Sequence, residues 1–231
     1  MEEIKSLADL TPGCLMFGPI GGPVGLGVGL GQLALGEAFR VGRLSIRHVG
    51  VVVEGATVRM IPGPEKDGPW ATMPRLVQAM PGGAEEIEMT EATHWTPRHA
   101  YVRLPEDYPG QAADAAAIAR LMVSEGVAYS FASYAALAAW RWGIKTPRLE
   151  RWIGRRGEPV MVPGWPSSKR GGFMLPGLPR EAICSVLVDQ AWSLAGKRVV
   201  EGTKPQVVTP GMLATQLWRR PGVVWGGPGL L

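Results

Sequence analysis

The sequence predicts an α+β fold, with a small antiparallel sheet packed on helices. Strand-like segments gather in the first half of the chain, and the 3.6-residue apolar spacing typical of helices starts near residue 112. The 231 residues are enough for one domain with a full core. Hydrophobic residues make up 46% and charged residues 19% of the chain, a globular balance that argues against disorder.

The strand predictions follow from β-branched residues and turn signals. The clearest strand is residues 47–54, whose valines suit a pleated, buried surface. Alternation places His48 and Gly50 on one face of it, and Val49 and Val51 on the other. Further strands are predicted at residues 14–17, 75–80, 86–89 and 99–104, and residues 58–61 are expected to pair back on 47–54 as a hairpin.

Two segments of the first half are rich in glycine or proline. Residues 18–36 match neither a Walker phosphate loop nor a dinucleotide-binding unit, so we expect a close-packed loop and a small-residue helix. Because each glycine costs a helix about 1 kcal/mol, this segment is not expected to span a membrane, and an interfacial segment is the alternative. Residues 62–74 are expected to form an inserted loop.

The helix predictions fill the second half of the chain. They cover residues 112–124, 131–142 and 148–153, a helix from Ile183 to a stop at Gly196, and residues 212–217 after the start signal Thr209-Pro210. We expect a single domain over residues 1–220, with insertions at about 55–74 and 154–179. Residues 221–231 are expected to be an extended Gly/Pro-rich tail.

Charge and cysteine content exclude several classes of function. The net charge of +4 is scattered, which favours a solvated surface and no stable nucleic-acid partner, with attraction to anionic polymers as the alternative. The 2 cysteines form neither a disulfide framework nor a zinc motif, and no cofactor motif is present. The acidic, polar start is not a secretory signal, so synthesis in the cytoplasm and no transmembrane segment are expected.

Cys184 is the candidate nucleophile. It lies at the predicted first turn of a helix, where the helix dipole and unpaired backbone amides stabilise a thiolate and an oxyanion. A buried packing cysteine is the alternative interpretation.

A cysteine hydrolase also needs an imidazole base and a group that orients the ring. His48, on a strand with small neighbours, is the first candidate for the base, and His94 and His99 are rivals in a connecting segment. A structural histidine is the alternative for His48. A metal site made of the three histidines matches no compact motif, so no metal is predicted.

Read together, several segments resemble one family. Arg47-His48-Val49-Gly50 resembles its His-X-Gly strand, and Gln78-Ala79-Met80-Pro81-Gly82-Gly83 its Glu-Ala-X-Pro-Gly-Gly strand. Ile183-Cys184-Ser185-Val186-Leu187-Val188 resembles its Cys-Ser-X-Leu-Val nucleophile helix. Residues 10–15, 128–131 and 208–214 resemble its opening, middle and closing motifs, in the same order. This is the circularly permuted NlpC/P60 family, related to the lecithin retinol acyltransferase-like enzymes and similar here to proteins of actinobacterial phages and their hosts.

The resemblance implies a papain-like fold and a cysteine hydrolase that cleaves a peptide or a peptidoglycan stem peptide. It places Cys184 on the nucleophile, His48 on the general base and Gln78 on the ring-orienting position, with no cofactor. Gln78 stands where the family usually has Glu, so Glu54 is a possible helper, and Cys14 stands where it often has Asp. The implied location is the cytoplasm, a phage virion, or the medium after lysis.

Two other classes of function stay open. One is a catalytically weak or inactive papain-like module that serves as a phage structural or binding protein, which the Gln78 substitution favours. The other is hydrolysis or transfer of a lipid acyl group or thioester, the nearest chemical variant among the permuted relatives.

Overall fold

The structure, a computed structural model, describes residues 3–34, 36, 40–41, 44–59, 70–105, 111–130, 139, 143–144, 146, 181–201 and 208–230. Within these residues the chain combines a six-stranded antiparallel sheet with five α-helices, which confirms the α+β class. None of the helices in these ranges is long and apolar enough to cross a membrane. The predicted helices at 131–142 and 148–153 and the loop at 154–179 lie outside them, isolated positions apart.

The elements are numbered in chain order. The strands are β1 (Leu15–Gly18), β2 (Arg40–Val41), β3 (Leu44–Ser45), β4 (His48–Glu54), β5 (Thr57–Arg59), β6 (Trp70–Thr72), β7 (Arg75–Met80), β8 (Gly83–Glu88), β9 (Ala100–Arg103), β10 (Ala128–Tyr129), β11 (Glu181–Ala182) and β12 (Val224–Gly226). The helices are α1 (Gly22–Ala34), α2 (Glu91–His94), α3 (Gln111–Ser124), α4 (Cys184–Leu194) and α5 (Pro210–Arg219). The central sheet has the strand order β12-β9-β1-β4-β7-β8, and every neighbouring pair is antiparallel.

Most predicted elements of the described ranges are confirmed. β1, β4, β7 and β9 lie where the sequence predicts strands, and β8 starts at Gly83, before its predicted start at residue 86. α3, α4 and α5 match the predicted helices. The Thr209 hydroxyl accepts a hydrogen bond from the Met212 backbone amide at 3.1 Å, so the predicted start signal does cap α5.

Two predictions about the connections are wrong. Residues 58 and 59 do not pair back on β4, because both edges of β4 are already paired, with β1 and with β7, and residues 60–61 lie outside the described ranges. Instead β5 pairs with β6, whose residues lie inside the segment predicted as a loop. The C-terminal residues form more than an extended tail, since β12 pairs with β9 as an edge strand of the central sheet.

The predicted small-residue helix is α1. At Gly25 an added Cβ would lie 1.7 Å from the backbone oxygen of Ile20, so only glycine permits this close approach. Val28 is buried, whereas Leu26, Leu30 and Leu33 are exposed on the outer side of the helix.

The central sheet separates two cores. On one side, here called the helix face, Val49, Val51 and Val77 pack with α3 and α4 in the larger apolar cluster. On the other side, here called the N-terminal face, Val52 and Leu76 pack with the N-terminal segment that contains Ile4, Leu7 and Leu10. Successive residues of β4 alternate between these faces, which confirms the period of two predicted for residues 47–54.

Candidate active site

Cys184 is the first residue of α4. Ile183 before it has an extended backbone, and the amide of Leu187 closes the first helical turn on the Ile183 carbonyl at 2.9 Å. The neighbouring Ser185 hydroxyl, also buried, donates to the Val208 carbonyl at 2.7 Å and so ties the start of α4 to the segment before α5. The structure therefore confirms the predicted position of Cys184 in the first turn of a helix.

The far side of α4 is held by a buried carboxylate. Asp189 is fully buried, accepts a hydrogen bond from the Val200 amide at 3.0 Å and pairs with Arg198 at 2.6 Å. Because a buried charge is costly without partners, these contacts fix the segment after α4 against the helix. They anchor α4, the helix whose first residue is Cys184.

The Cys184 thiol is held in its neutral form. Burial raises its pKa to about 11, although the backbone amides of Val49, Ser185 and Cys184 itself oppose the shift. Only 2% of the residue is exposed. Burial also raises the pKa of Tyr129, and the charge of a Cys184 thiolate adds to that shift, so this side chain lies near the sulfur. At neutral pH the resting residue is a thiol.

His48 and Gln78 form the hydrogen bond that the sequence predicts. His48 Nε2 and Gln78 Oε1 are 2.8 Å apart, and both residues are buried. Gln78 lies directly opposite Gly50 in the sheet, two residues along β4 from His48, so all three occupy the N-terminal face. An added Cβ at Gly50 would lie 3.0 Å from Leu76 and from the Val77 carbonyl oxygen, so glycine permits the close packing of β4 on β7 beside this pair.

The electrostatics of His48 favour a neutral ring. Burial lowers its pKa to about 4, and the hydrogen bond with Gln78 only partly opposes this shift. Its second nitrogen, Nδ1, is buried and has no hydrogen-bond partner in the described part of the chain. The ring therefore offers one nitrogen to the amide and keeps the other available.

Glu85 is a residue of this site that the sequence interpretation missed. Gln78 Nε2 donates to Glu85 Oε1 at 2.8 Å, and the two residues face each other across β7 and β8. The two-residue turn at Pro81 and Gly82 could have revealed this pair, because it sets Met80 opposite Gly83 and hence Gln78 opposite Glu85. The predicted strand began at residue 86, which left this pairing out.

The structure brings two of the three predicted residues into direct contact. Cys184 packs in the larger cluster with its sulfur against the backbone amide of Val49, the residue directly after His48, and His48 and Gln78 contact each other. Among the described residues, no hydrogen bond joins the Cys184 sulfur to His48. Proton transfer between them therefore requires one side chain to move, as often happens when a substrate tightens a resting site.

The rival histidines are held by threonines instead. His94 Nδ1 accepts a hydrogen bond from the Thr90 amide at 3.1 Å, and His99 Nδ1 lies 2.9 Å from the Thr96 hydroxyl. Burial lowers the pKa of His99 to about 4, and the nearby charges of His94 and His48 add to the effect. Within the described ranges no group of three His, Cys, Asp or Glu side chains could hold a metal ion.

Glu54 lies in an ion-pair network and Cys14 in an apolar cluster. The Glu54 carboxylate pairs with Arg120 at 2.6 Å, and the same guanidinium pairs with Glu86 at 3.0 Å, which links α3 to the sheet. Cys14 is buried in the cluster of the N-terminal face, with its sulfur 3.4 Å from the Thr11 hydroxyl. The contacts of Glu54 join it to this ion-pair network.

No protein-family model, curated protein or solved structure matches this chain. The family resemblance consequently rests on the order of the motifs in the sequence.

Proposed function

We propose that this protein is a cysteine hydrolase of the papain-like, circularly permuted NlpC/P60 type that cleaves an amide bond. The substrate class is a peptide or a peptidoglycan stem peptide, and the location is the cytoplasm, a phage particle, or the medium after lysis. The observation that carries the proposal is the 2.8 Å hydrogen bond between His48 and Gln78, which leaves Nδ1 buried and without a partner in the described chain. A base oriented in this way, together with a cysteine at a helix start, is the arrangement that thiol acyl transfer requires.

The proposed reaction has two stages. The Cys184 sulfur attacks the substrate carbonyl carbon while its proton moves to His48 Nδ1. The tetrahedral intermediate then collapses, the C–N bond breaks, and the imidazolium gives its proton to the leaving amine. In the second stage Nδ1 takes a proton from water, the hydroxyl oxygen attacks the thioester, and the acid leaves as the proton returns to the sulfur.

A general-base mechanism starts from a neutral thiol and a neutral base. Since burial raises the pKa of Cys184 to about 11 and lowers that of His48 to about 4, the resting pair is a neutral thiol and a neutral imidazole. A neutral Nδ1 can accept the thiol proton as the sulfur attacks. The backbone amides at the start of α4 then stabilise the negative oxygen of the intermediate.

A binding module without activity is the second candidate. The buried thiol, its raised pKa and the uncharged Gln78 support this alternative, because they disfavour a thiolate–imidazolium pair. In that case the site would bind a peptide without cleaving it.

Turnover of a peptidoglycan stem peptide, followed by mass spectrometry of the protein, tests the proposal. The wild type is expected to release the amine product and to form an acyl adduct on Cys184. Cys184→Ala should abolish both, whereas the matched variant Cys14→Ala should keep them. A wild type that binds such peptides without product or adduct would support the binding module instead.

A further inference from the structure

We propose that Glu85 is a positioning residue that fixes the ring tautomer of His48 through the side-chain amide of Gln78. This inference deepens the proposed function and rests on it for its role in catalysis. It concerns a residue outside the motifs of the family resemblance, in β8, two residues after the motif that ends at Gly83.

Two consecutive hydrogen bonds connect the three side chains. Glu85 Oε1 accepts from Gln78 Nε2 at 2.8 Å, and Gln78 Oε1 lies 2.8 Å from His48 Nε2. The pairing of Gln78 with Glu85 across β7 and β8 is set by a tight turn, so the carboxylate faces the amide by strand register. Glu85 itself is exposed, so its charge needs no buried counter-ion.

The chemistry of these groups determines which atom donates in each of the two hydrogen bonds. A carboxylate can only accept hydrogen bonds, so it holds the NH₂ end of the Gln78 amide. The amide oxygen is then the end that faces His48, and it too can only accept. His48 Nε2 must therefore carry the proton, and in a neutral imidazole Nδ1 must then carry the lone pair.

With Nε2 protonated, Nδ1 is the basic nitrogen of His48. Nδ1 is the nitrogen of His48 that is buried and has no partner among the described residues. A glutamine at position 78 could point either end at the ring, whereas the Glu usual in the family can only accept. Glu85 thus supplies the choice of tautomer that the family's carboxylate makes directly.

The neighbouring acidic residues provide a matched control. Glu86 is engaged with Arg75 at 2.6 Å and with Arg120 at 3.0 Å, on the other side of β8. Glu88 is exposed on the same strand and lies opposite Arg75. Glu88→Lys therefore makes the same charge change as Glu85→Lys without a change next to Gln78.

Nuclear magnetic resonance of the histidine rings tests the proposal without any substrate. Long-range ¹H–¹⁵N correlations distinguish a protonated from an unprotonated ring nitrogen, and with 3 histidines in the chain His94→Gln and His99→Gln assign the signals. Wild type and Glu88→Lys are expected to show His48 protonated at Nε2. In Glu85→Lys the introduced ammonium can only donate, so it should take the amide oxygen, turn the amide over and shift the proton to Nδ1.

A double variant adds a rescue. In Gln78→Glu with Glu85→Lys, residue 78 can only accept, so the Nε2-protonated tautomer should return whatever stands at position 85. The single variant Glu85→Ala should give a mixture of the two tautomers. A His48 ring that stays protonated at Nε2 in both Glu85→Lys and Glu85→Ala would overturn the proposal.

Activity separates this proposal from the proposed function. If the wild type turns over, Glu85→Lys should lower kcat with little change in KM, by up to the roughly 10⁴-fold that a wrong tautomer can cost, and the double variant should recover. An inactive wild type whose tautomer still follows Glu85 would overturn the hydrolase and support the positioning role. An active wild type whose His48 tautomer does not change with Glu85 would support the hydrolase and overturn the positioning role.

Discussion

The two faces of the central sheet use the same strands for different purposes. On the helix face, β4 and β7 present Val49, Val51 and Val77, and each of these side chains is fully buried. On the N-terminal face the same two strands present His48 and Gln78, joined by a hydrogen bond. Alternation along a strand thus lets one segment serve the core and the candidate site at once.

The two faces differ in how strictly each one constrains the residues that form it. Any well-packed apolar residues could satisfy the helix face, because the hydrophobic effect has no direction. The hydrogen-bonded pair His48 and Gln78 on the N-terminal face, here called the polar face, depends on which atom donates and which accepts, so exchanging a single donor for an acceptor alters it. Variants of the apolar residues on the helix face should therefore change stability, and variants of Cys184 and of the polar face should change chemistry at similar stability.

The largest effect on activity is expected from Cys184→Ser, which tests whether chemistry and stability can be changed separately. If Cys184 is the nucleophile, kcat/KM should fall by at least about 10³-fold, since replacing a nucleophile removes nearly all catalysis. The melting temperature should change little, because serine is close to cysteine in size and its buried hydroxyl oxygen can accept the hydrogen bonds that the backbone amides of Val49 and Ser185 give the sulfur. Cys14→Ser is the control for cysteine loss in general. Equal activity in wild type and Cys184→Ser, measured on the same stem peptide, would contradict the assignment.

A helix-face variant should show the opposite behaviour. Leu187 in α4 is fully buried in the larger cluster, and Leu187→Ala should lower the free energy of unfolding by about 2–5 kcal/mol. Below its melting temperature the variant should keep the ring tautomer of His48. Urea denaturation gives the stability, and ¹⁵N spectra give the tautomer. A tautomer that changes with Leu187 would show that the two faces are coupled.

Acid should destabilise the protein through the polar face. Since burial lowers the pKa of His48 from 6.5 to about 4, the unfolded chain takes up a proton between these values and the native state does not. Stability is therefore complete above pH 6.5 and falls as the pH drops towards 4, by on the order of 3 kcal/mol for this residue. His99, with its pKa also lowered to about 4, adds a smaller loss over the same pH range, because its ring is only partly buried and solvent screens it.

The comparison that checks this uses His48→Gln. Its unfolding free energy, measured by urea denaturation at several pH values, should fall less steeply between pH 6.5 and 4 than that of the wild type. His99→Gln, which removes a second histidine with a lowered pKa, should leave the His48 contribution in place. Parallel curves for wild type and His48→Gln would show that the native ring titrates normally.

The sequence predicted the helix face better than the polar face. The valines of β4 and the apolar stripe of α4 repeat with the periods of strand and helix, so their positions follow from spacing alone. The motif order also identified the residues that form the His48–Gln78 hydrogen bond. These features depend on local pattern, which a sequence displays directly.

What the sequence could not provide depends on pairing between distant segments. Glu85 joins the site only through the register of β7 and β8, and β5 pairs with β6 because the edges of β4 are taken. The position of the Cys184 sulfur against the Val49 backbone amide depends on how α4 packs on β4. No local spacing encodes these relations.

The smallest effect is expected at Glu54, the suggested helper of the site. Its ion pair with Arg120 is 2.6 Å long, but the two side chains are 46% and 39% exposed, so water and salt screen the attraction. Glu54→Gln should therefore cost at most about 1 kcal/mol of stability, less at high salt, and leave kcat and the His48 tautomer unchanged. A change in kcat without a change in stability would bring Glu54 into the catalytic site, and it would show that the end of β4, where this strand meets α3, serves chemistry as well as packing.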